Sequence, residues 1–166
     1  MKTCGYCGSE VSSLDEKNFY CDFCEMKLSH DHVTENGERK NIYFRDFAFL
    51  EWIERSTPEL MTLHTVELLL LLREVRKERS DNFGTLHIFN KIESKEVKEE
   101  IRDAKSYQGG QYEYLTRKLW VIENIIRERI GYVPERMSQP FLIKQMEEAK
   151  KEPKPMRIRK EPKKAL

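Results

Sequence analysis

The sequence predicts an α+β chain: a small N-terminal module of β-hairpins, a mainly α-helical domain, and a disordered basic C-terminal tail. Three observations predict it. All four cysteines lie between residues 4 and 24, as two Cys-x-x-Cys pairs. From Tyr43 onward the apolar residues recur at helical rather than alternating spacing. Residues 150–166 hold eight Lys/Arg, two Asp/Glu and three prolines, a composition that cannot bury a core. The expected division is 1–45, 46–149 and 150–166.

The module is organised by its thiols. Cys4-Gly-Tyr-Cys7 and Cys21-Asp-Phe-Cys24 are separated by thirteen residues. Two residues between thiols let one tight turn aim both sulfurs at a point. Two such turns facing each other set four thiolates at tetrahedral corners, roughly 2.3 Å from a shared Zn²⁺. Gly5 and Gly8 suit turns that need positive φ or close backbone approach. A segment below about 40 residues seldom folds by apolar burial alone. A bound ion therefore supplies most of the module's folding energy, on the order of 10 kcal/mol in comparable peptides. Four sulfur ligands leave no open position, so Cys4, Cys7, Cys21 and Cys24 point to structural zinc. Two disulfides would suit a secreted protein, and no signal peptide is recognisable. A dithiol redox site usually presents one Cys-x-x-Cys at a strand-to-helix junction, not two matched pairs.

On these residues the first 45 positions or so resemble a zinc ribbon, the class of small Cys4 β-hairpin modules. Cys4-Gly-Tyr-Cys7-Gly and Cys21-Asp-Phe-Cys24 look like its two knuckles. The whole chain is similar in character to small bacterial or phage regulatory proteins. The resemblance implies a metal and leaves the partner open: zinc ribbons bind DNA, RNA or proteins, and many only hold a domain together.

Within the module, Val11-Ser-Ser is expected as the outgoing hairpin arm, Leu14–Lys17 as the turn and Asn18-Phe-Tyr as the returning arm. Asn36-Gly37 is a strong hairpin signal because both residues tolerate positive φ. Val33-Thr34 and Ile42-Tyr43 are the candidate strands beside it. His30-Asp31-His32 would share one face in a strand and reach a metal or phosphate. A polar loop is the favoured reading, since the cysteines already satisfy zinc.

The helical half begins with Phe44, Phe47, Ala48, Leu50, Trp52 and Ile53, a pattern expected to form a short aromatic-rich helix. Thr57-Pro58-Glu59 opens the next, with Thr57 as cap, Pro58 in the first turn and Glu59 against the positive dipole end. That helix is expected to run to about Arg79. Its five leucines, Leu68–Leu72, sweep about 500° of arc, so it must be buried on several sides. Arg73, Arg76, Lys77 and Arg79 then read as a solvated end. Phe83–Ile92 either continues this helix past Gly84 or forms a separate element. Ser94 opens an acidic helix with Val97, Ile101 and Ala104 on one face, broken at Gly109-Gly110. Tyr112, Leu115, Leu119, Ile122, Ile126 and Arg129 form the clearest stripe, widened by Trp120, Ile125 and Ile130. Gly131 suits a left-handed helix end, and Pro134 prevents resumption. A last short helix follows Ser138, with Phe141, Leu142 and Met146 inward.

Composition sets the function classes. The 166 residues are 36% charged and 39% hydrophobic, enough for a modest core only. Net charge is +1 but uneven: residues 1–40 carry −3, 41–149 carry −2 and 150–166 carry +6. The longest apolar run is five residues, far below the ~18 of a membrane span, so no membrane association is expected and the cytoplasm is the expected compartment. There is no glycine-rich phosphate loop, nucleophile elbow or His-Glu-x-x-His motif. His64 and Glu67 have the spacing of a helical imidazole–carboxylate pair, weak grounds for catalysis, and His87 reads as structural. The chain is thus expected not to be an enzyme.

Two functions fit. One is nucleic-acid-associated regulation, with Lys150, Lys151, Lys154, Arg157, Arg159, Lys160, Lys163 and Lys164 contacting phosphates. The other is a protein-interaction adaptor or regulator of the transcription or replication machinery, since an acidic ribbon suits basic protein surfaces better than phosphates. The leucine-rich surface suits a dimer as readily as a monomer core.

Overall fold

The structure, a computed structural model, describes residues 1–92, 99–151 and 154, with backbone only at 92, 99 and 100. They form two compact units, built on Met1–Ile42 and Tyr43–Lys150.

The first unit contains five short strands. β1 (Lys2–Cys4) pairs antiparallel with β5 (Val33–Glu35), and β2 (Ser12–Ser13), β3 (Asn18–Cys21) and β4 (Met26–Ser29) form a three-stranded antiparallel meander. The β2–β3 hairpin closes where expected. Asp15 anchors its turn by accepting from the Lys17 and Asn18 backbone N–H groups at 2.9 and 2.8 Å. The side-chain bond from Asn18, then that Lys17 N–H, holds its carboxyl below the usual range. Asn36 and Gly37 both have positive φ, +51° and +74°, and Glu38 N–H closes the turn on Glu35 O at 2.9 Å. The strand entering that turn does not pair with Ile42-Tyr43, which are not in a strand; its partner is β1, in the register Lys2–Glu35, Thr3–Thr34, Cys4–Val33. Thr3, fully buried, makes this possible. Its hydroxyl donates to Thr34 O at 3.2 Å and accepts from Gly37 N–H at 3.0 Å. The apolar interior is tiny: Val11, Phe19 and Leu28 beside the cysteines, with Val33 packed against them.

The second unit is helical: α1 (Thr57–Thr62), α2 (Thr65–Ile92), α3 (Glu99–Ile130) and α4 (Gln139–Lys150), preceded by a single 3₁₀ turn at Leu50–Glu54. All five leucines of Leu68–Leu72 are buried, facing Trp52, Ile53, Leu115, Ile122, Ile126 and Leu142 within one core. At about 25 cal/mol per Å², burying each such side chain contributes about 2 kcal/mol.

Several expectations change here. The aromatic stretch after Tyr43 has no regular secondary structure until the 3₁₀ turn; Trp52 and Ile53 are buried, while Tyr43, Phe47 and Phe49 are exposed. The cap of α1 is Ser56, not Thr57: Glu59 Oε2 accepts from Ser56 N–H at 2.8 Å and from its hydroxyl at 2.6 Å, a capping box. The helix expected from residue 57 to 79 breaks at Leu63-His64. There Glu67 Oε2 accepts from His64 N–H at 2.8 Å and His64 Nδ1 accepts from Val66 N–H at 3.1 Å, capping α2. Arg129 of α3 donates to the carbonyls of Met61 and Leu63, closing the end of α1. α2 continues through Gly84. α3 runs through Gly109-Gly110 without a break, because packing on α2 outweighs the weak propensity of two glycines. Ile101 is half-buried but Ala104 is exposed, and Ser94 and Val97 lie outside the described residues. Trp120 and Ile130 are exposed, so the α3 stripe is narrower than expected.

The arginines near the middle of α2 are structural rather than solvated. Arg76 donates to the carbonyls of Pro134 and Glu135 and pairs with Glu123 at 2.8 Å. Arg79 donates to Thr116 Oγ1 and Tyr112 Oη, and Arg73 to Gln139 Oε1. Gly131 ends α3 at φ +84°, its N–H bonded to Arg127 O at 2.8 Å.

Candidate metal centre

The four cysteines converge from four places in the first unit: the end of β1, the turn after it, the end of β3 and the turn before β4. The first knuckle is shaped by Gly8 N–H on Cys4 O and Cys4 N–H on Ser9 O, both 2.8 Å. Gly8 has φ +73°. Gly5 serves close approach instead: its N–H donates to His32 O at 3.0 Å, and a β-carbon there would lie 2.9 Å from that oxygen. In the second knuckle Cys24 N–H donates to Cys21 Sγ at 3.4 Å. Glu25, one residue past Cys24, takes the left-handed position that Gly8 takes past Cys7, at φ +52°.

All four sulfurs lie within 4.8 Å of one another, with Cys7–Cys21 at 3.4 Å and Cys4–Cys24 at 3.9 Å. A tetrahedron with ligand arms of roughly 2.3 Å has edges of about 3.8 Å, so the spacing fits one four-coordinate ion. Cys4 and Cys21 are buried, Cys7 and Cys24 half-buried, and all four thiols are free. The four cysteines are thus positioned to hold a metal ion. Among the described residues no other group of His, Cys, Asp and Glu is so placed.

The electrostatics favour a cation. Burial pushes the Cys7 thiol up, but hydrogen bonds from the Ser9 side chain and backbone, with those of Cys21 and Cys24, bring it down to about 6. Cys24, hydrogen-bonded to the Cys7 sulfur and then penalised by burial, is pushed up to about 12; burial also raises Cys21. Clustered sulfurs cannot all ionise without a positive charge among them, and a dication removes that obstacle while displacing protons.

His30 and His32 lie in a 3₁₀ turn and are not part of the cysteine cluster. His32 braces the first knuckle: its ring stacks on Tyr6 at 5.5 Å, and its Nδ1 lies within hydrogen-bond distance of Tyr6 Oη, at 3.1 Å, and of Lys40 Nζ, at 3.0 Å. A feature overlooked in the sequence is the aromatic residue preceding the second cysteine of each pair. Tyr6 is 60% and Phe23 77% exposed, and the repeated Cys-x-aromatic-Cys pattern was the available signal.

The remaining candidates are not gathered into this centre. Lys150 ends α4, 3.4 Å from Asp46. Lys151 and Lys154 are exposed, whereas Arg157, Arg159, Lys160, Lys163 and Lys164 lie outside the described residues. His64 and Glu67 form a helix cap, and Glu67 also accepts from Arg45 N–H at 3.0 Å and Arg45 Nη1 at 3.3 Å. His64 stacks on Phe44 at 4.8 Å; burial lowers its pKa, opposed by Glu67 and assisted by Arg129. No helix among the described residues is long and apolar enough to cross a membrane. No protein-family model, curated protein or solved structure matches the chain.

Proposed function

We propose that the protein is a zinc-binding, non-catalytic regulator that associates with nucleic acid. The observation that carries this reading is the all-sulfur cluster with an exposed aromatic ring on each knuckle. Four thiolates at tetrahedral spacing suit Zn²⁺, which has no redox chemistry and takes a closed structural role in such a set. Tyr6 and Phe23 offer flat faces on which bases stack, worth about 1–3 kcal/mol per base. The eight basic residues from Lys150 to Lys164 supply the sequence-independent attraction to phosphate.

The test is binding of a fluorescent single-stranded oligonucleotide to the zinc-replete chain at several salt concentrations. If all eight cations contact phosphate, the log–log salt slope approaches about −6. Deleting residues 150–166 flattens that slope, and Tyr6→Ala with Phe23→Ala weakens binding with zinc retained. Binding indifferent to both changes refutes the reading.

The charge of residues 1–40, net −3, favours a second reading: an adaptor or regulator of transcription or replication machinery that docks on a basic protein surface. Capture of a protein partner that survives nuclease treatment, with no nucleic-acid binding by full-length or truncated chain, selects it.

A further inference from the structure

The second unit carries a groove that the metal centre does not explain. It lies between α2 and α3, with a volume of about 490 Å³, within the range of small-molecule sites. Three side chains of basic residue types line it: Arg102, Lys105 and His87. No described lining residue is a carboxylate. The basic lining is local, because a second groove on the same helix pair is lined by Glu51, Glu54 and Glu78.

The rest of the lining is flat and apolar or neutral and polar. Phe83 and Tyr112 pack side by side, their ring planes tilted by 42° and their centroids 5.8 Å apart. Asn90 and Ser106 add neutral hydrogen-bonding groups. Arg79 lies over the Tyr112 ring at 4.9 Å and donates to its hydroxyl at 2.7 Å, adding positive charge behind that ring. Gly109 also lines the groove, and a β-carbon there would meet nothing within 4 Å.

An arginine-bearing wall suits phosphate, which a guanidinium binds through paired hydrogen bonds. Aromatic walls suit a planar ring. We propose that this groove binds the phosphate ester of a nucleoside, with phosphate on Arg102 and the base against Phe83 and Tyr112. The inference rests on the helical unit alone, so it stands or falls separately from the function proposed for the knuckles. The same chemistry is offered by a free mononucleotide and by the 5′-phosphorylated end of a single strand.

The test is an ¹⁵N-resolved NMR titration of the zinc-replete full chain with AMP, adenosine, inorganic phosphate and a 5′-phosphorylated hexanucleotide. AMP or the hexanucleotide is expected to shift the His87, Ser106 and Gly109 amides saturably, with adenosine and phosphate each at least about tenfold weaker. Tighter binding of AMP identifies a free nucleotide as the source, and tighter binding of the hexanucleotide a strand end. Arg102→Glu is expected to weaken binding by about tenfold or more with the helical circular dichroism unchanged, while Lys144→Glu on α4 leaves it unaltered. Gly109→Leu, which fills the groove without disfavouring the helix, gives the same loss. The proposal is overturned if neither nucleotide shifts these amides, if Arg102→Glu binds as the wild type, or if phosphate alone binds as tightly as AMP.

Discussion

Replacing Gly109 and Gly110 together by alanine is expected to stabilise the helical unit by about 2 kcal/mol. Both glycines lie inside α3, neither has positive φ, and a β-carbon at either meets no atom within 4 Å. Nothing in the tertiary structure then opposes the gain in helix propensity, about 0.8–1 kcal/mol per Gly→Ala change. Adjacent positions do not face each other on a helix, so the two gains add. The assay is urea unfolding followed by circular dichroism at 222 nm on zinc-replete protein. With a slope of about 2 kcal/mol/M, the midpoint rises by about 1 M at unchanged slope. An unchanged or lowered midpoint would falsify the reasoning: it would mean that the chain bends at the glycines, as the sequence pattern suggests, instead of continuing as one helix.

Chelation should unfold residues 1–42, because Val11, Phe19 and Leu28 cannot hold the module without the ion, while most helical signal persists; loss of all of it would contradict the two-unit architecture. Metal loading should release protons and strengthen as pH rises, since Cys21 and Cys24 hold theirs tightly; a pH-independent affinity measured by competition with a chromophoric chelator would count against thiolate ligation. His64 caps α2 as a neutral acceptor with its pKa lowered by burial. Its contribution is therefore complete above the unfolded value of about 6.5 and lost as pH falls through the lower folded value. His64→Asn keeps a capping acceptor and should flatten that dependence, which unfolding curves at pH 5 and 8 would reveal. Thr3→Val strands the Gly37 N–H and should cost about 1–3 kcal/mol of module stability, read as a lowered unfolding midpoint of the metal-bound module; an unchanged midpoint would remove Thr3 from its anchoring role.

The clustering of the four cysteines and the broad architecture were legible because each rests on a signal within a few residues. Cys-x-x-Cys is a local turn, Asp15 and Asn18 close their hairpin locally, and Gly131 ends α3 where the apolar stripe stops. The misplaced boundaries depend on partners far away in sequence. Asn36-Gly37 marks a reversal correctly, yet only the buried Thr3 hydroxyl, more than thirty residues earlier, decides that β5 pairs with β1. The break at Leu63-His64 depends on Glu67 folding back on the chain and on Arg129 reaching across from α3.

Sequence alone therefore determined that four sulfurs would meet, that the helix carrying residues 68–72 would be buried on several sides, and that helices would follow strands, because periodicity and short spacings act through the backbone's own geometry. Only the tertiary structure decided that Arg76 and Arg79 are ties rather than a wet helix end, that two glycines do not interrupt α3, and that a basic groove opens between α2 and α3. Those outcomes follow from which faces two helices bring together, and packing energy between distant residues exceeds the local preferences that a linear pattern records.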